Sequence, residues 1–521
     1  MATLNKTRKA TRIANIEEEK TVNMEGALAF KMDAKSRLIE RSVGAFWNED
    51  LFYAKGSTIA ADLVADIAAV AATDPKFVLQ LAAWARNELY LRTTPQVLLT
   101  EAANIQACKP FVREYTPKIV RRADELAEVI AHQLSTHGKP IPNSLKKGLA
   151  DAFSKFDEYQ LNKYDSSKSA VSLGDVLHLI YRKEGYPVSK ALWNYLVNDV
   201  VDAEALPKIG ALKQLLSSGK TLDADAMALI KKSNATWETV VSHFGSTKEV
   251  WESVIPNMGY MALLRNLRNF EQKDVDLAPV IARITDEEQV KRSKQLPFRF
   301  YSAYNQVTNQ RLKRAIAKAF DLSLTNVTID GNTAVLVDLS GSMGSRLSEH
   351  STVSYKEISS VLGAIAARKS DESVVIGFAD IAREININPD DTLTTNVETI
   401  RNTHVGSSTN AWLAFEALGN RKFDRIILIS DMQCYDSTGG LNFYYGYSRI
   451  KPKSVFEVWN KYKQANPSAY LYSLDLSAYG TSQVPTFDNR AVTINGWSDK
   501  ILDFINLSEK RNVMEAQIKK Y

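Results

Sequence analysis

Apolar residues recur at intervals of three and four through most of residues 26–320, and turn residues separate one such stretch from the next. This spacing puts apolar side chains on one face of an α-helix, so the pattern predicts a series of short helices. The predicted helices cover residues 58–72, 75–90, 121–134, 144–153, 189–201, 206–216, 246–255, 259–270 and 309–322. Because about 300 residues of short helices exceed one compact core, a curved array of helix pairs is favoured over a bundle.

The pattern changes after residue 329, where β-branched and aliphatic runs alternate with helical stretches. Such continuous apolar runs are typical of strands covered on both faces. Strands are predicted at residues 333–338, 373–379, 425–430, 469–476 and 491–495, and helices at 355–369, from about 409, at 455–464 and at 500–510. The alternation predicts a doubly wound α/β sheet with helices on both faces. The boundary with the helical part is expected at residues 322–331.

The amino-acid composition is typical of a soluble, globular protein. The chain has 521 residues, of which 45% are hydrophobic and 24% charged, which suits a folded protein of two or more domains. It has no apolar run near the length of a membrane span, and residues 1–20 are polar with mixed charge, unlike a secretion signal. Cys108 and Cys434 lie far apart and provide neither a disulfide framework nor metal-ligand spacing. We therefore expect a reducing, cytoplasmic setting.

The charge is distributed unevenly between the two parts. The net charge is +5, yet Lys and Arg outnumber Asp and Glu by 45 to 37 over residues 1–320 and are outnumbered by 23 to 20 over residues 321–521. A basic helical part is compatible with nucleic-acid binding. Charge alone fits an ordinary solvated surface equally well.

Asp338, Ser340 and Ser342 directly follow the apolar run of residues 333–337. In open α/β sheets ligands bind beyond the carboxyl ends of the strands, and carboxylate and hydroxyl oxygens suit Mg²⁺, which keeps several of its waters. Thr409, in the turn-rich segment 406–410, offers another hydroxyl, and Asp431 follows the strand predicted at 425–430. The five residues together predict a site for one divalent cation, with Mg²⁺ as the best fit. The alternative is a βα turn with a helix cap, which also favours Asp, Ser and Gly.

These five residues resemble the metal-ion-dependent adhesion site of von Willebrand factor A domains, whose Asp-x-Ser-x-Ser motif matches positions 338–342. In the helical part, residues 236–246 and 250–270 resemble the signature of the TROVE module, and residues 29–33, 90–95 and 296–300 agree with it. A TROVE module followed by an A domain is the architecture of the Ro autoantigen family. The resemblance covers about residues 24–510 and points to a bacterial or phage-like member.

The resemblance implies a ring-shaped, HEAT-like α-helical solenoid followed by a Rossmann-like A domain. The corresponding segments are a polar tail at 1–24, the TROVE module at 25–325, the A domain at 329–510 and a C-terminal tail at 511–521. Ro proteins bind small noncoding Y RNAs on an outer basic surface and the ends of misfolded RNAs in a central cavity, in RNA quality control. In bacteria a Y-type RNA can tether the ring to an exoribonuclease. We expect these partners here, and no membrane.

Lys and Arg side chains bind RNA phosphates, and helix amino termini add positive potential. The candidates between residues 139 and 190 are Lys139, Lys146, Lys147, Lys163, His178, Tyr181, Arg182, Lys183 and Lys190. The family pattern has His and Lys at the positions of Tyr181 and Lys183. Tyr can stack or donate a hydrogen bond but cannot become cationic, so this position does not by itself carry over the family's Y RNA specificity. The alternative for each charge is a solvated helix face.

A second candidate set is Arg265 and Arg268, which share a helix face at i, i+3 spacing, together with Arg299 in the basic run before the domain boundary. Their functional interpretation is contact with single-stranded RNA at the inner opening. The alternatives are that Arg265 and Arg268 satisfy helix ends, and that the basic run forms a seam against the more acidic A domain.

Catalytic patterns find little support in the sequence. With six His, the chain shows no Ser-His-Asp set, His-Glu-x-x-His or phosphate-binding loop. The leading hypothesis is therefore an RNA-binding protein that is not an enzyme. A Mg²⁺-dependent protein-interaction scaffold is the second. A metal-dependent phosphodiesterase ranks last because Asp338, Asp431 and Asp380 are few carboxylates for a two-metal site.

Overall fold

The computed structural model describes most of the chain, in which two compact units form. The described residues are 20–22, 28–44, 56–165, 170–180, 187–324, 329–347, 351, 353–388, 390–434, 444–445, 448–449, 453–477, 481–484, 488, 490–495, 505 and 513–521. The first, here called the helical unit, comprises Ile67–Gln295, Ala303–Ala319 and Gln517–Tyr521. The second, here called the sheet unit, comprises Met1–Asp66, Leu296–Ser302 and Phe320–Ala516.

The helical unit is a succession of short helices, as the hydrophobic spacing predicts. Its helices are Pro75–Asn87, Thr93–Asn104, Lys109–Ile119, Asp124–Thr136, Asn143–Phe153, Glu158–Tyr164, Leu173–Ile180, Lys190–Asn198, Pro207–Ser217, Ala224–Ser233, Trp237–Phe244, Lys248–Val254, Tyr260–Gln272, Leu277–Ile284 and Glu287–Ser293. Helices Gly56–Thr73, Pro297–Gln306 and Gln310–Leu322 each include residues of both units. Every helix predicted in this part is confirmed, with ends that differ by up to three residues.

Aromatic side chains pack together in the stretch that resembles the TROVE signature. The rings of Trp237 and Trp251 stack with centroids 5.5 Å apart, and Trp251 meets Phe270 edge to face at 5.4 Å. Trp251 and Phe270 are buried. Large aromatic side chains bury much apolar area and prefer these geometries, so the three rings fix how consecutive helices pack.

The sheet unit is built on a six-stranded sheet. The strands of the chain are β1 (Lys20–Val22), β2 (Leu28–Lys31), β3 (Ile329–Asp338), β4 (Ser370–Phe378), β5 (Ala382–Ile385), β6 (Arg425–Ser430), β7 (Tyr444–Tyr445), β8 (Ser448–Arg449), β9 (Tyr470–Asp475), β10 (Thr481–Ser482) and β11 (Ala491–Asn495). The sheet order is β11-β9-β6-β3-β4-β5, and only the β4–β5 pair is antiparallel. The strands predicted after residue 329 are confirmed, and the helix predicted at 500–510 lies outside the described residues apart from residue 505.

Helices cover both faces of this sheet. The unit also contains helices Ala34–Gly44, Tyr355–Lys369, Leu393–Arg401, Ala411–Ala417, Val455–Ala465 and, up to Ala516, Val513–Ile518. Leu336 lies in a core cluster with residues of Ala411–Ala417 and Val455–Ala465, whereas Val337 lies against Gly363 of Tyr355–Lys369. Because successive residues of a strand point to opposite faces, these contacts confirm the doubly wound arrangement.

Short antiparallel elements were not predicted from the sequence. β5 is an edge strand that follows β4 closely, and β2 pairs with both β1 and the two-residue β10. Strands this short carry too few alternating positions to be recognised. Among the described residues, no helix combines the length and apolar character needed to cross a bilayer.

Candidate metal centre and nucleic-acid surface

β3, β6 and β9 are parallel neighbours, so their carboxyl ends meet at one edge of the sheet. Asp338 is the last residue of β3, Asp431 directly follows β6, and Asp475 ends β9. All three carboxylates are buried, at 0–2% exposure. The strand order therefore brings two of the predicted ligands, Asp338 and Asp431, to the same edge. The sequence analysis missed Asp475, although its position at the end of an apolar strand was a usable signal.

Asp338 is held by polar groups of its own loop and of the neighbouring strand. Its Oδ1 accepts a hydrogen bond from the Ser340 backbone N–H at 2.9 Å, and its Oδ2 accepts one from the Ser430 hydroxyl at 2.6 Å. Burial raises the pKa of Asp338, and these hydrogen bonds oppose that rise. The carboxylate is thus oriented at a site where its charge lacks bulk solvation.

Asp431 shares this buried environment. Burial raises the pKa of Asp431, the negative charge of Asp338 raises it further, and a hydrogen bond with Ser342 opposes both effects. The next residue, Met432, has a φ of +59°, a left-handed conformation that non-glycine residues rarely adopt. Its backbone N–H donates to the Ser430 hydroxyl at 3.0 Å. The backbone is therefore locally strained directly after Asp431.

The hydroxyls come from two loops that are joined by a backbone hydrogen bond. Ser340 Oγ and Ser342 Oγ lie 3.3 Å apart and are buried. The Gly341 N–H between them donates to the Ser407 carbonyl at 2.8 Å, two residues before Thr409, which is also buried. This hydrogen bond ties the loop that contains Thr409 to the loop that follows β3.

Asn410 precedes helix Ala411–Ala417 but does not cap it through its side chain. Its amide Nδ2 instead donates to the Ala379 carbonyl at 3.1 Å, just beyond β4. The sequence allows either Asn410 or Thr409 to cap this helix, and the structure places Asn410 at the cap position without a side-chain cap. The side chain anchors the Thr409 loop to the neighbouring strand.

This set of donors is chemically suited to a hard divalent cation. The buried, like-charged carboxylates of Asp338 and Asp431, with hydroxyls beside them, form an oxygen-rich site that a cation would neutralise. Within the described part of the chain, no group of three or more His, Cys, Asp and Glu side chains is placed to hold a metal ion. The described oxygen donors at this site are the carboxylates of Asp338 and Asp431 and the hydroxyls of Ser340, Ser342 and Thr409. Such a set suits the binding of one ion better than two-metal hydrolysis.

The basic candidates lie on helices that pack in succession. Lys146 and Lys147 are near the start of helix Asn143–Phe153, which packs against Leu173–Ile180, where His178 is exposed. Leu173–Ile180 also packs against Lys190–Asn198, whose first residue is the exposed Lys190. Lys139 and Lys147 are exposed, and Lys146 is half-buried. Tyr181, Arg182 and Lys183 lie outside the described residues.

Most of these lysines form no ion pair within the described part of the chain. With the described residues, Lys139, Lys146, Lys147 and Lys190 form no salt bridge, in contrast to Lys213, which pairs with Asp199 at 2.6 Å. Lys163 is exposed in helix Glu158–Tyr164, with its Nζ 5.6 Å from the ring of Tyr159 and 5.3 Å from that of Tyr164. Unpaired lysines and a lysine beside aromatic rings are groups that phosphates and bases contact.

The second candidate set is exposed as well. Arg265 and Arg268 lie on the solvent side of helix Tyr260–Gln272 and form no salt bridge with a described residue. Arg299 is exposed in helix Pro297–Gln306, and its guanidinium lies 5.0 Å from the ring of the adjacent Phe298. Exposure agrees with the RNA interpretation for all three. Among the described residues, no contact supports the alternative that Arg265 and Arg268 satisfy helix ends.

Comparison with known domain families matches most of the chain. The TROVE domain matches residues 33–172 and 224–361, and the Ro60 vWA domain matches residues 332–506. Among solved structures, the Deinococcus radiodurans Ro (RSR) protein superposes with a TM-score of 0.64 at 19% identity, over 94% of this chain and 100% of that one. This likeness shows a shared fold.

Curated relatives match over part of their length. The RNA-binding protein RO60 of Deinococcus radiodurans is 26% identical over 306 residues, which are 52% of this chain and 57% of the relative. The protein of that name from Caenorhabditis elegans is 25% identical over 304 residues, 54% of this chain and 45% of the relative. Telomerase protein component 1 of Rattus norvegicus is 28% identical over 297 residues, 46% of this chain and 11% of the relative. The chain thus spans less than two thirds of each of these relatives.

Proposed function

Because the chain belongs to the TROVE domain family, whose match covers more than half of it, we propose that the protein binds RNA through its helical unit. The observation that carries this proposal is a group of lysines that form no salt bridge with a described residue, Lys139, Lys146, Lys147 and Lys190, on and beside helices that pack in succession. Counterion release at phosphates favours binding to such a surface. Two of the curated relatives are named as RNA-binding proteins, which supports the same assignment.

The RNA we propose is a small, structured, noncoding RNA of the Y-like class. Duplex RNA is recognised chiefly by shape and backbone contacts, which a surface of lysines provides. Arg265, Arg268 and Arg299 are proposed to contact single-stranded RNA ends. On this proposal the protein acts in cytoplasmic RNA quality control by binding rather than by catalysis. An exoribonuclease tethered through the bound RNA is its proposed partner.

RNA binding is tested by measuring the affinity of the full chain for a small hairpin RNA as salt is raised. If the four lysines contact phosphates, affinity falls by about a hundredfold between 50 and 200 mM salt. Fluorescence anisotropy with labelled RNA gives the affinity at each salt concentration. Affinity that is independent of salt would instead favour the protein-interaction scaffold, and Mg²⁺-dependent RNA cleavage that requires Asp338 would revive the phosphodiesterase.

We further propose that the loops after β3 and β6 hold one divalent cation, Mg²⁺ by the chemistry of the donors. Ser340, Ser342 and Thr409 would provide hydroxyl oxygens, and Asp338 and Asp431 would provide charge, directly or through water. The proposal is supported by the two buried carboxylates, whose pKa values are raised by burial and, at Asp431, by the charge of Asp338. When bound, such an ion supplies an electrophilic position that takes a carboxylate or phosphate oxygen of a partner.

Mg²⁺ should stabilise the wild-type chain but not an Asp338→Asn variant. A ligand that binds only the folded state at a hundred times its Kd adds about 2.7 kcal/mol to the free energy of unfolding. Asp338→Asn removes one of the two like charges, so we expect the metal-free variant to be at least as stable as wild type yet insensitive to Mg²⁺. Urea unfolding with Mg²⁺ and with EDTA measures both effects, and equal stabilisation of the two proteins would refute the site.

A further inference from the structure

Asp380 follows β4 at the same edge of the sheet as the proposed metal centre, yet its carboxylate is fully engaged with the chain. One oxygen, Oδ2, accepts the Ser407 N–H at 3.1 Å. The other, Oδ1, accepts the Ser408 N–H at 2.9 Å and the Ser408 hydroxyl. With three donors on two oxygens, this carboxylate serves as an anchor for the segment 406–408.

The segment that Asp380 holds has a shape that only glycine permits at its first position. Gly406 has a φ of +99°, and a Cβ added there would lie 2.0 Å from Asp380 Oδ2. The carboxylate therefore sits directly against the backbone of residue 406. The close approach fixes where residues 407 and 408 run, and Thr409 comes next in the chain.

The same segment also holds the loop after β3. The Ser407 carbonyl accepts the Gly341 N–H at 2.8 Å, and Gly341 lies between Ser340 and Ser342. The Ser407 peptide unit is thus bonded to Asp380 through its N–H and to the β3 loop through its carbonyl. A chain of hydrogen bonds runs from one carboxylate to two separate loops.

We propose that Asp380 is the positioning residue of the metal centre, because it fixes the segment that places Thr409 and, through the Ser407 carbonyl, the loop that places Ser340 and Ser342. This inference rests on the proposed metal site. Mg²⁺ requires near-octahedral ligands at about 2.0–2.1 Å. A displacement of the hydroxyl oxygens by a few tenths of an ångström therefore changes the affinity of the site for Mg²⁺. Ca²⁺ tolerates irregular geometry at longer distances and is less sensitive to the same displacement.

The test is calorimetric titration of the full chain with Mg²⁺ and, separately, with Ca²⁺. In Asp380→Asn one oxygen is replaced by an NH₂ group that faces an N–H donor, so half of the anchor is lost. We expect the Kd for Mg²⁺ to rise by about tenfold or more, as for other outer-shell partners of metal ligands. The Kd for Ca²⁺ should rise by less than about threefold, because its coordination is more flexible. Ser408→Ala, which deletes only the hydroxyl, should shift both in the same sense by smaller factors.

The matched control is Glu372→Gln, which removes one negative charge from the opposite end of β4, about 20 Å along the strand from its carboxyl end. Glu372 is exposed, so its loss should leave both affinities unchanged. The positioning role, but not the metal site, is refuted if Asp380→Asn binds both ions as tightly as this control does. It is also refuted if the variant loses affinity for both ions by the same factor. A wild-type chain that binds neither ion overturns the metal site and this inference together.

Discussion

Glu125→Ala should lower the free energy of unfolding by about 3–5 kcal/mol, because it leaves a buried arginine without its counter-charge. Arg86 Nη2 and Glu125 Oε1 lie 2.7 Å apart, and the two side chains are 9% and 0% exposed. Glu125 Oε2 also accepts the backbone N–H groups of Arg121, at 2.7 Å, and of Arg122, at 3.1 Å. The substitution therefore leaves the buried guanidinium of Arg86 and the part-buried N–H groups of Arg121 and Arg122 without this acceptor.

The matched control is Glu114→Ala, in which the carboxylate pairs with Lys118 one helical turn away, at 2.9 Å on the surface. Exposed pairs of this kind contribute at most about 0.5 kcal/mol. Urea unfolding followed by tryptophan fluorescence compares the two variants. Adding Arg86→Met to Glu125→Ala should recover part of the loss, because the uncompensated charge is gone. Equal effects of Glu125→Ala and Glu114→Ala would show that the buried pair is not a key contact of the helical unit.

Local patterns made much of this fold predictable. The strand Arg425–Ser430 and the helix Tyr355–Lys369 have the bounds that the sequence predicts, because a continuous apolar run and a three-to-four-residue period are properties of the segment itself. β5 and β10 depend on partners that the segment does not specify. β10, for example, pairs with β2, some 450 residues earlier in the chain.

In the proposed metal centre, too, some residues could be predicted from local sequence patterns and others could not. Asp338 and Asp431 could be placed at one sheet edge because each follows an apolar strand, and parallel neighbours end together. Asp380 also follows a strand and was considered as a nuclease carboxylate. Its hydrogen-bond partners include the backbone N–H groups of residues 407 and 408, and no pattern of side chains in the sequence indicates such contacts. The roles of residues that act through backbone contacts become visible only in the structure.

Neutralising four lysines of the proposed RNA surface should lower the affinity for small structured RNA by about 100- to 1,000-fold at 150 mM salt, since each lost phosphate contact removes its share of counterion release. The variant replaces Lys139, Lys146, Lys147 and Lys190 with Gln. None of these forms a salt bridge with a described residue, so their removal breaks no ion pair within that part of the chain. The slope of log affinity against log salt should become shallower by about 3 to 4.

The control must change the net charge equally without touching the proposed surface. Replacing Lys118, Lys248, Lys291 and Lys453 with Gln does so, since these four pair with Glu114, Glu252, Glu287 and Glu416. Both variants lower the net charge from +5 to +1, so any effect of overall charge is common to them. Fluorescence anisotropy should show a loss of less than about tenfold for the control, because paired lysines have little free charge to offer phosphates. Equal losses would mean that the overall charge, rather than this group of helices, determines RNA affinity.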